Sequence, residues 1–220
     1  MLSGIFSSAL VGIDAYVVEV EVDINFGLPS FTTVGLPEAS VKESKERVKS
    51  AINNSGYEFP DDRIIVNLAP ANIKKEGTGF DLPIAVGILC ATGILSPTVV
   101  SKYLVVGELS LDGRIKSVKG ALSTSLAAKE KGFEGIVIPN ENRWEAAVVS
   151  GISIIPVKNL AQLVEYFRGT TTIEFDPSKV NIFQNADDDI TLDFSEVKGQ
   201  EHAKRAMEIT AAGGHNLLML

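Results

Sequence analysis

The chain has 220 residues, of which 45% are hydrophobic and 22% are charged, and it contains 19 glycines and 9 prolines. This composition is typical of a soluble globular protein and excludes the disordered, collagen-like and low-complexity classes. The formal net charge of −8 argues against a protein that coats nucleic acid through a globally basic surface.

The single cysteine, Cys90, lies in an apolar run. One cysteine excludes an intramolecular disulfide framework and a cysteine-cluster zinc site, and no metal site is predicted. The N-terminus lacks the basic flank of a signal peptide, and no segment approaches the roughly 18 apolar residues of a membrane span. We therefore expect a cytoplasmic protein with no membrane partner.

Two strands and a helix are predicted in the first part of the chain. Apolar and charged residues alternate over 17–24, and 31–34 is rich in β-branched residues, so both segments are predicted to be strands that begin an antiparallel sheet. The spacing then becomes helical over 38–52. On this helix lysines and arginines are interleaved with glutamates, and Glu43 is expected to pair with Arg47 on an exposed face.

Strands and helices alternate through the next part of the chain. In chain order they are a strand over 63–68, an apolar helix over 81–95, a strand over 103–106, a hairpin around Asp112 and Gly113, a helix over 120–131, a strand over 135–138, a helix over 141–149, a strand over 152–155 and a helix over 160–167. This alternation implies right-handed βαβ crossovers and a partly parallel sheet. The sequence therefore predicts an α+β domain over residues 1–168, with Asp81 as a helix N-cap and with Phe80 and Trp144 as core or interface anchors.

The acidity of the chain is concentrated after residue 168. Residues 1–168 hold 16 basic and 19 acidic residues, whereas residues 169–220 hold 4 and 9. Residues 169–193 are therefore predicted to be an acidic linker. A helix over 201–212 and an apolar strand over 215–220 follow, and because a strand needs neighbours, we expect 194–220 to begin a second α/β domain whose body the chain lacks.

Common catalytic motifs are absent from the sequence. There is no Gly-x-x-x-x-Gly-Lys-Ser/Thr, no His-Glu-x-x-His and no Gly-x-Ser-x-Gly. The two histidines, His202 and His215, both lie in the tail. We therefore do not expect histidine-based catalysis or metal binding in this chain.

Two segments carry a resemblance to the proteolytic domain of Lon proteases. The first, over 67–89, combines a strand, a loop with two lysines and two glycines, and a buried helix; the second runs from Gly107-Glu108 to Leu122. In Lon proteases the first loop carries a serine nucleophile, and the second segment carries the lysine that activates it. The resemblance places these positions on Gly79 and Leu122, which lack a hydroxyl and an amine. No catalytic residue is therefore expected.

A shift of this alignment by one residue changes the candidates. It would bring in Thr78 as the nucleophile and Lys119 as the base, and it leaves a residual Lon-type peptidase as one hypothesis. That hypothesis predicts labelling by a serine- or threonine-directed probe that is lost in Thr78→Ala.

Four further segments resemble the YifB/ComM family of magnesium-chelatase-like AAA+ ATPases: they are 35–38, 41–48, 52–56 and 193–206. In that family a Lon-like domain precedes an AAA+ module, whose Walker A loop follows a strand similar to 216–220. By this resemblance the chain lacks the phosphate-binding loop and is not expected to hydrolyse ATP alone. Only Val197, Lys198 and Gly199 resemble part of the nucleotide site, on its adenine side. ATP and Mg²⁺ are implied for a full-length protein, and no cofactor is expected for this chain.

The resemblance also implies a hexameric ring and ATP-driven branch migration on DNA during natural transformation. It suggests that the Lon-like domain serves oligomerisation and DNA contact. Five cations in two loops are the expected contacts with phosphate oxygens: Lys74, Lys75, Arg114, Lys116 and Lys119. Two alternatives stay open, namely that these are merely solvated surface residues, and that the domain recruits or regulates protein partners without touching nucleic acid.

Overall fold

A computed structural model describes residues 1–177 and 194–219. The chain divides into two compact units, 1–180 and 181–220. Over residues 1–177 the first unit is built on nine strands: β1 (Leu2–Val11), β2 (Asp14–Asn25), β3 (Ser30–Val34), β4 (Arg63–Ala69), β5 (Tyr103–Val105), β6 (Glu108–Leu109), β7 (Ile115–Lys116), β8 (Gly135–Pro139) and β9 (Ser153–Val157).

Seven helices accompany these strands in the described part of the first unit. They are α1 (Ala39–Lys42), α2 (Ser44–Asn54), α3 (Asp81–Ala91), α4 (Pro97–Val100), α5 (Ala121–Glu130), α6 (Arg143–Ala147) and α7 (Leu160–Phe167). A 3-10 turn over Asn140–Asn142 precedes α6. Among the residues described, no helix combines the length and the apolar character needed to cross a bilayer.

The strands form one mixed sheet and one small hairpin. The seven-stranded sheet has the order β3-β4-β2-β1-β5-β8-β9, and β6 pairs with β7. β2 is antiparallel to β1 and to β4, whereas the other sheet pairings are parallel. The mixed α+β fold with βαβ crossovers is thus confirmed. The predicted antiparallel pairing of the second strand is wrong, because β3 lies beside β4 and runs parallel to it.

Helix α3 forms the centre of the core. All of its residues are buried, and it packs across β1 and β2. The approach is close enough that a Cβ at Gly87 would lie 2.6 Å from Cγ2 of Val22, and Ser3 Oγ donates a hydrogen bond to the Gly87 carbonyl at 2.7 Å. Helices α5 and α6 belong to a second apolar cluster with β8. The position of α3 matters for function, because the loop before it forms part of the candidate site.

Several element boundaries differ from the predictions. The predicted helix over 38–52 is two helices that meet at Glu43. Strand β1 is not predicted from the sequence. Serines alternate with Ile5 and Ala9 on its buried face, so the face does not read as a continuous apolar pattern. Phe80 is buried as expected, whereas Trp144 is partly exposed and stacks on Phe175 with ring centroids 5.2 Å apart.

The second unit is described over 194–219. A 3-10 turn over Phe194–Glu196 precedes helix α8 (Glu201–Gly213), which confirms the predicted helix. Residues 215–219 form no strand, contrary to the prediction, and none of the described segments pairs with them. Of the predicted linker, residues 178–193 lie outside the described part of the chain. The linker and the domain limits therefore stay predictions.

Candidate functional site

A cavity of about 460 Å³ lies between the loop before α3 and the segment after β7. Both segments line it, together with residues of β1 and α5; the lining includes Ser8, Leu10, Glu76, Thr78, Gly79, Glu108, Ser117, Val118, Lys119 and Thr124. The Gly107 N–H donates a hydrogen bond to the Gly79 carbonyl at 3.0 Å. The two loops therefore adjoin, as the resemblance to Lon proteases implied.

The two positions expected to carry a serine–lysine dyad have no such chemistry. Gly79 lines the cavity, and a Cβ placed there would lie 3.6 Å from Val118 Cγ1, in ordinary contact. Leu122 is partly exposed near the beginning of α5, and its N–H donates to Glu145 Oε1 at 3.0 Å. Neither residue offers a nucleophile or a base to this cavity.

The shifted pair, Thr78 and Lys119, also lines the cavity. The Thr78 hydroxyl donates its hydrogen bond to the Glu108 carboxylate, so its described partner is a carboxylate and not the Lys119 amine. Lys119 is exposed, whereas a lysine that activates a hydroxyl nucleophile must lie within hydrogen-bond reach of it. The arrangement gives the residual peptidase hypothesis no support.

Asp81 lies at the beginning of α3 but does not cap it. The N-cap is Phe80, and the Asp81 carboxylate is instead bound by Arg47, with Nε at 2.7 Å and Nη2 at 2.9 Å. The Leu109 N–H donates to the same carboxylate at 3.3 Å. The expected pairing of Glu43 with Arg47 is therefore replaced by a buried, bidentate ion pair that joins α2, α3 and β6.

Different causes shift the pKa values of the two partners. Burial raises the pKa of the Asp81 carboxyl, and the hydrogen bond from Arg47 acts in the opposite direction. The hydrogen bond with Asp81 raises the pKa of the Arg47 guanidinium. Removing one partner of such a pair leaves the other in an apolar surrounding without compensation.

The two adjacent lysines of the loop are both engaged within the fold. Lys75 has 0% of its surface exposed, and its ammonium donates to the backbone carbonyls of Gly35 and Pro70, the first at 2.9 Å. Burial lowers its pKa. Lys74 is more than half exposed, but it contacts the carboxylates of Glu38 and Glu76. The prediction that Lys75 contacts DNA is wrong, because no part of its side chain reaches the surface.

The cations on and after the hairpin are different. Arg114, Lys116 and Lys119 are all exposed. Arg114 Nε lies 2.6 Å from Asp112 Oδ2 across the turn, in an exposed pair, and the Arg114 side chain and backbone N–H lower the pKa of Asp112. Exposed pairs are weak, so this guanidinium remains available to another anion. The structure thus leaves three of the five predicted cations on an accessible surface without a strong partner.

Relatives of the chain are readily found. Residues 20–142 match the family model described as subunit ChlI of Mg-chelatase, and residues 193–220 match a model described as magnesium chelatase, subunit ChlI. The whole chain is similar to the uncharacterized protein YifB of Escherichia coli, with 41% identity over 219 residues that make up 42% of that protein. The chain belongs to the ChlI-like family that includes YifB and ComM.

Two other family relationships bear on the site. The competence protein ComM of Haemophilus influenzae is 40% identical over 223 residues, which cover all of this chain and 43% of that relative. Lon protease 2 of Bacillus subtilis is 27% identical over 146 residues, 66% of this chain and 26% of the protease. The chain therefore spans less than half the length of the YifB and ComM relatives.

The tail carries the segment expected on the adenine side of a nucleotide site. Val197, Lys198 and Gly199 lie exposed between the 3-10 turn and α8. The Val197 N–H donates to the Phe194 carbonyl at 3.2 Å, and the Val197 carbonyl accepts from Lys204 Nζ at 2.8 Å. Both backbone groups of Val197 are thus engaged within the tail. The role of the segment on the adenine side of a nucleotide site stays a prediction.

Two important features have no local sequence signal. The Arg47–Asp81 pair joins residues 34 positions apart. Lys158, outside the predicted set, lies beside the hairpin, where its carbonyl accepts from the Ile115 N–H at 2.9 Å. Only the tertiary fold brings these residues to their partners.

Proposed function

We propose that this chain is the non-catalytic Lon-like domain of a ComM-like AAA+ ATPase that acts on DNA. In this proposal the domain covers residues 1–168, an acidic linker covers 169–193, and 194–220 begins the ATPase module. The whole protein uses ATP and Mg²⁺, assembles into a ring and works in DNA recombination, as branch migration during natural transformation. The domain itself contributes DNA contact and assembly, and no peptidase activity.

The observation that carries DNA contact is the exposure of Arg114, Lys116 and Lys119 on one hairpin and the segment after it. Exposed cations bind phosphates through charge, and they read no base sequence. The cavity beside them gives peptidase chemistry no nucleophile at position 79. With a net charge of −8 for the chain, DNA contact is expected to be local and strongly salt-dependent.

The test is a fluorescence-anisotropy titration of this chain with a short single-stranded DNA and a branched DNA at two salt concentrations. A variant in which the three hairpin cations become alanine is compared with a control in which three other exposed lysines, Lys45, Lys102 and Lys131, become alanine. We expect binding that weakens with salt, is lost in the hairpin variant and persists in the control. Absence of binding at low salt, or equal loss in both variants, would contradict the proposal.

A second candidate, an assembly or protein-binding role, is favoured by the other end of the sheet. Within the described residues, β3 pairs only with β4, and it holds no charged residue or proline that would block strand addition. Phe26 and Leu28, directly before it, are exposed. An open edge beside apolar side chains is typical of an interface.

Sedimentation velocity tests this second role. If β3 and its flanking loop form the interface between copies, the wild-type chain self-associates with concentration, and Phe26→Asp with Leu28→Asp lowers the association. Val99→Asp, at another exposed apolar residue, is the matched control. A chain that stays monomeric at all concentrations contradicts self-assembly through this edge.

A further inference from the structure

A second groove, of about 400 Å³, lies beside the hairpin. Its walls are β7, the 3-10 turn after β8, and the end of β9. Because β8 and β9 are parallel and pair Pro139 with Val157, their carboxyl ends lie side by side. The hydrogen bond from the Ile115 N–H to the Lys158 carbonyl fixes the end of β9 against the hairpin. The groove is therefore built from three segments that are distant in sequence.

The charges in this groove favour an anion. Arg114, Lys116 and Lys158 line it and are all exposed, against a single carboxylate from Glu141. Arg114 also has Asp112 as an exposed partner, and exposed pairs of this kind are worth little and are readily exchanged. The local balance is thus positive in a chain whose overall charge is −8.

Neutral groups in the same walls complement the cations. The Asn140 amide and the Ser117 hydroxyl line the groove. Ser110 lines it as well, and its Oγ has no hydrogen-bond partner in the described part of the chain. Phosphate oxygens accept hydrogen bonds from guanidinium, ammonium, hydroxyl and amide groups, which are the donor types that protein–DNA contacts use most.

We infer that this groove binds a phosphodiester group of the DNA backbone and that Lys158 is a contact residue of the site. The inference rests on the proposed function and extends it, because it adds Lys158 to the hairpin cations and centres the DNA surface on this groove. Arg114 and Lys116 from the hairpin and Lys158 from the end of β9 then surround the same phosphate. Glu141 opposes binding through its negative charge, and the cation–phosphate contacts make binding dependent on salt.

The experiment measures DNA affinity and its salt dependence by anisotropy for the wild-type chain and four variants. Lys158→Ala and Lys116→Ala remove groove cations, and Glu141→Gln removes the opposing charge. Lys102→Ala is the matched control, because Lys102 is exposed and precedes β5, whereas Lys158 follows β9. Strands β5, β8 and β9 are parallel, so Lys102 lies at the amino end of these strands and Lys158 at their carboxyl end.

Lys158→Ala is expected to weaken binding by up to about fivefold, as one exposed charge contact does. It should also reduce the slope of log affinity against log salt by about 0.9, the value for one lost phosphate contact with duplex DNA. Lys116→Ala behaves alike, Lys102→Ala leaves both quantities unchanged, and Glu141→Gln binds more tightly than the wild type. A gain of affinity in Glu141→Gln cannot arise from misfolding, so it keeps the test decisive if another variant folds poorly.

Two failures are distinguishable. If the wild-type chain binds, Lys116→Ala weakens binding and Lys158→Ala matches Lys102→Ala, then DNA contact stands and the groove assignment is overturned. If the wild-type chain binds no DNA at low salt, both proposals fail. In a further arm, inorganic phosphate competes with DNA at matched ionic strength. If phosphate displaces DNA from the wild-type chain but not from Lys158→Ala, while the DNA affinity of Lys158→Ala is unchanged, the groove is a site for free phosphate. That result would overturn the inference.

Discussion

The loop before α3 and the hairpin that follows β5 border the same cavity, yet they use their cations in opposite ways. In the loop, Lys75 is buried on two backbone carbonyls and Lys74 lies between two carboxylates. On the hairpin and just after it, Lys116 and Lys119 point to solvent. Cations in two adjoining loops therefore serve different purposes. In the loop before α3 they are engaged by groups of the fold, whereas on the hairpin side they remain free to bind anions.

The largest difference in stability is expected between two cations of α2, Arg47 and Lys45. The Arg47 guanidinium binds the Asp81 carboxylate at the beginning of α3. Arg47→Ala leaves Asp81 buried with only the Leu109 N–H as a described partner, and we expect it to lower the free energy of unfolding by about 3 kcal/mol. Urea denaturation measures the change. Lys45→Ala, which removes an exposed pair with Glu46 on the same helix, is the control and should cost less than about 1 kcal/mol. Equal losses in both variants would mean that the buried pair is not a structural centre of the loop.

Next in size is the effect of the buried lysine. Lys75→Met keeps the apolar stem but leaves the carbonyls of Gly35 and Pro70 without their donor, and it should lower the free energy of unfolding by about 2 kcal/mol. Lys74→Met, one residue away and exposed, should leave the urea midpoint nearly unchanged. Equal losses in the free energy of unfolding for Lys75→Met and Lys74→Met would contradict this difference between the two lysines.

The same pair of variants carries a pH signature. Burial lowers the pKa of Lys75 in the fold, so the unfolded chain binds more protons between that lowered value and the ordinary lysine value. Stability therefore rises with pH across this window. Relative to Lys75→Met, the wild-type chain should gain stability as the pH increases toward the ordinary lysine value, and Lys74→Met should show the wild-type trend. A difference that stays constant with pH would contradict the burial of a charged ammonium.

On the hairpin side, the expected effect on stability is small and the effect on binding is large. Lys116→Ala removes an exposed charge, so its free energy of unfolding should match that of the wild type within about 0.5 kcal/mol. Its DNA affinity should fall, together with the salt slope. This outcome would sharpen the contrast with Lys75→Met, which should lose stability in urea. A Lys116→Ala variant that unfolds easily would place this lysine among the structural cations instead.

The smallest effect is expected in the cavity itself. Thr78 donates to Glu108 rather than to a lysine, so a serine- or threonine-directed covalent probe should label neither the wild-type chain nor Thr78→Ala. Intact-mass spectrometry after incubation measures the adduct. An adduct on the wild-type chain that disappears in Thr78→Ala would support the residual peptidase hypothesis.

Much of the fold is visible in the sequence, because periodicity reports burial within one element. The alternation over 17–24 and the apolar run that begins at Asp81 give β2 and α3 directly. Strand β1 escapes this reasoning, because its inward face includes Ser3 and Ser7, which are buried beside α3 and the sheet. The Ser3 hydroxyl has a partner in the Gly87 carbonyl, whereas the buried Ser7 Oγ has none among the described residues, so a serine does not by itself predict an exposed position.

The candidate site is predictable in its location but not in its charges. The Lon-like resemblance correctly brings the loop before α3 and the segment after β7 to one cavity; Gly79 and the shifted pair of Thr78 and Lys119 line it, whereas Leu122 does not. It cannot show that the ammonium of Lys75 points into the fold, or that Lys158 arrives beside the hairpin from the end of β9. Both outcomes depend on tertiary contacts between segments far apart in the chain.

Formaldehyde cross-linking of the chain to a branched DNA, followed by mass spectrometry of the modified peptides, tests the central claim most directly. The claim is that DNA contacts this domain through exposed cations on the hairpin side, while the buried loop cation Lys75 holds the fold. Within residues 1–177 the account predicts adducts on Lys116, Lys119 and Lys158 and none on Lys75. Adducts on Lys102 or Lys45 as frequent as those on the hairpin lysines would contradict it.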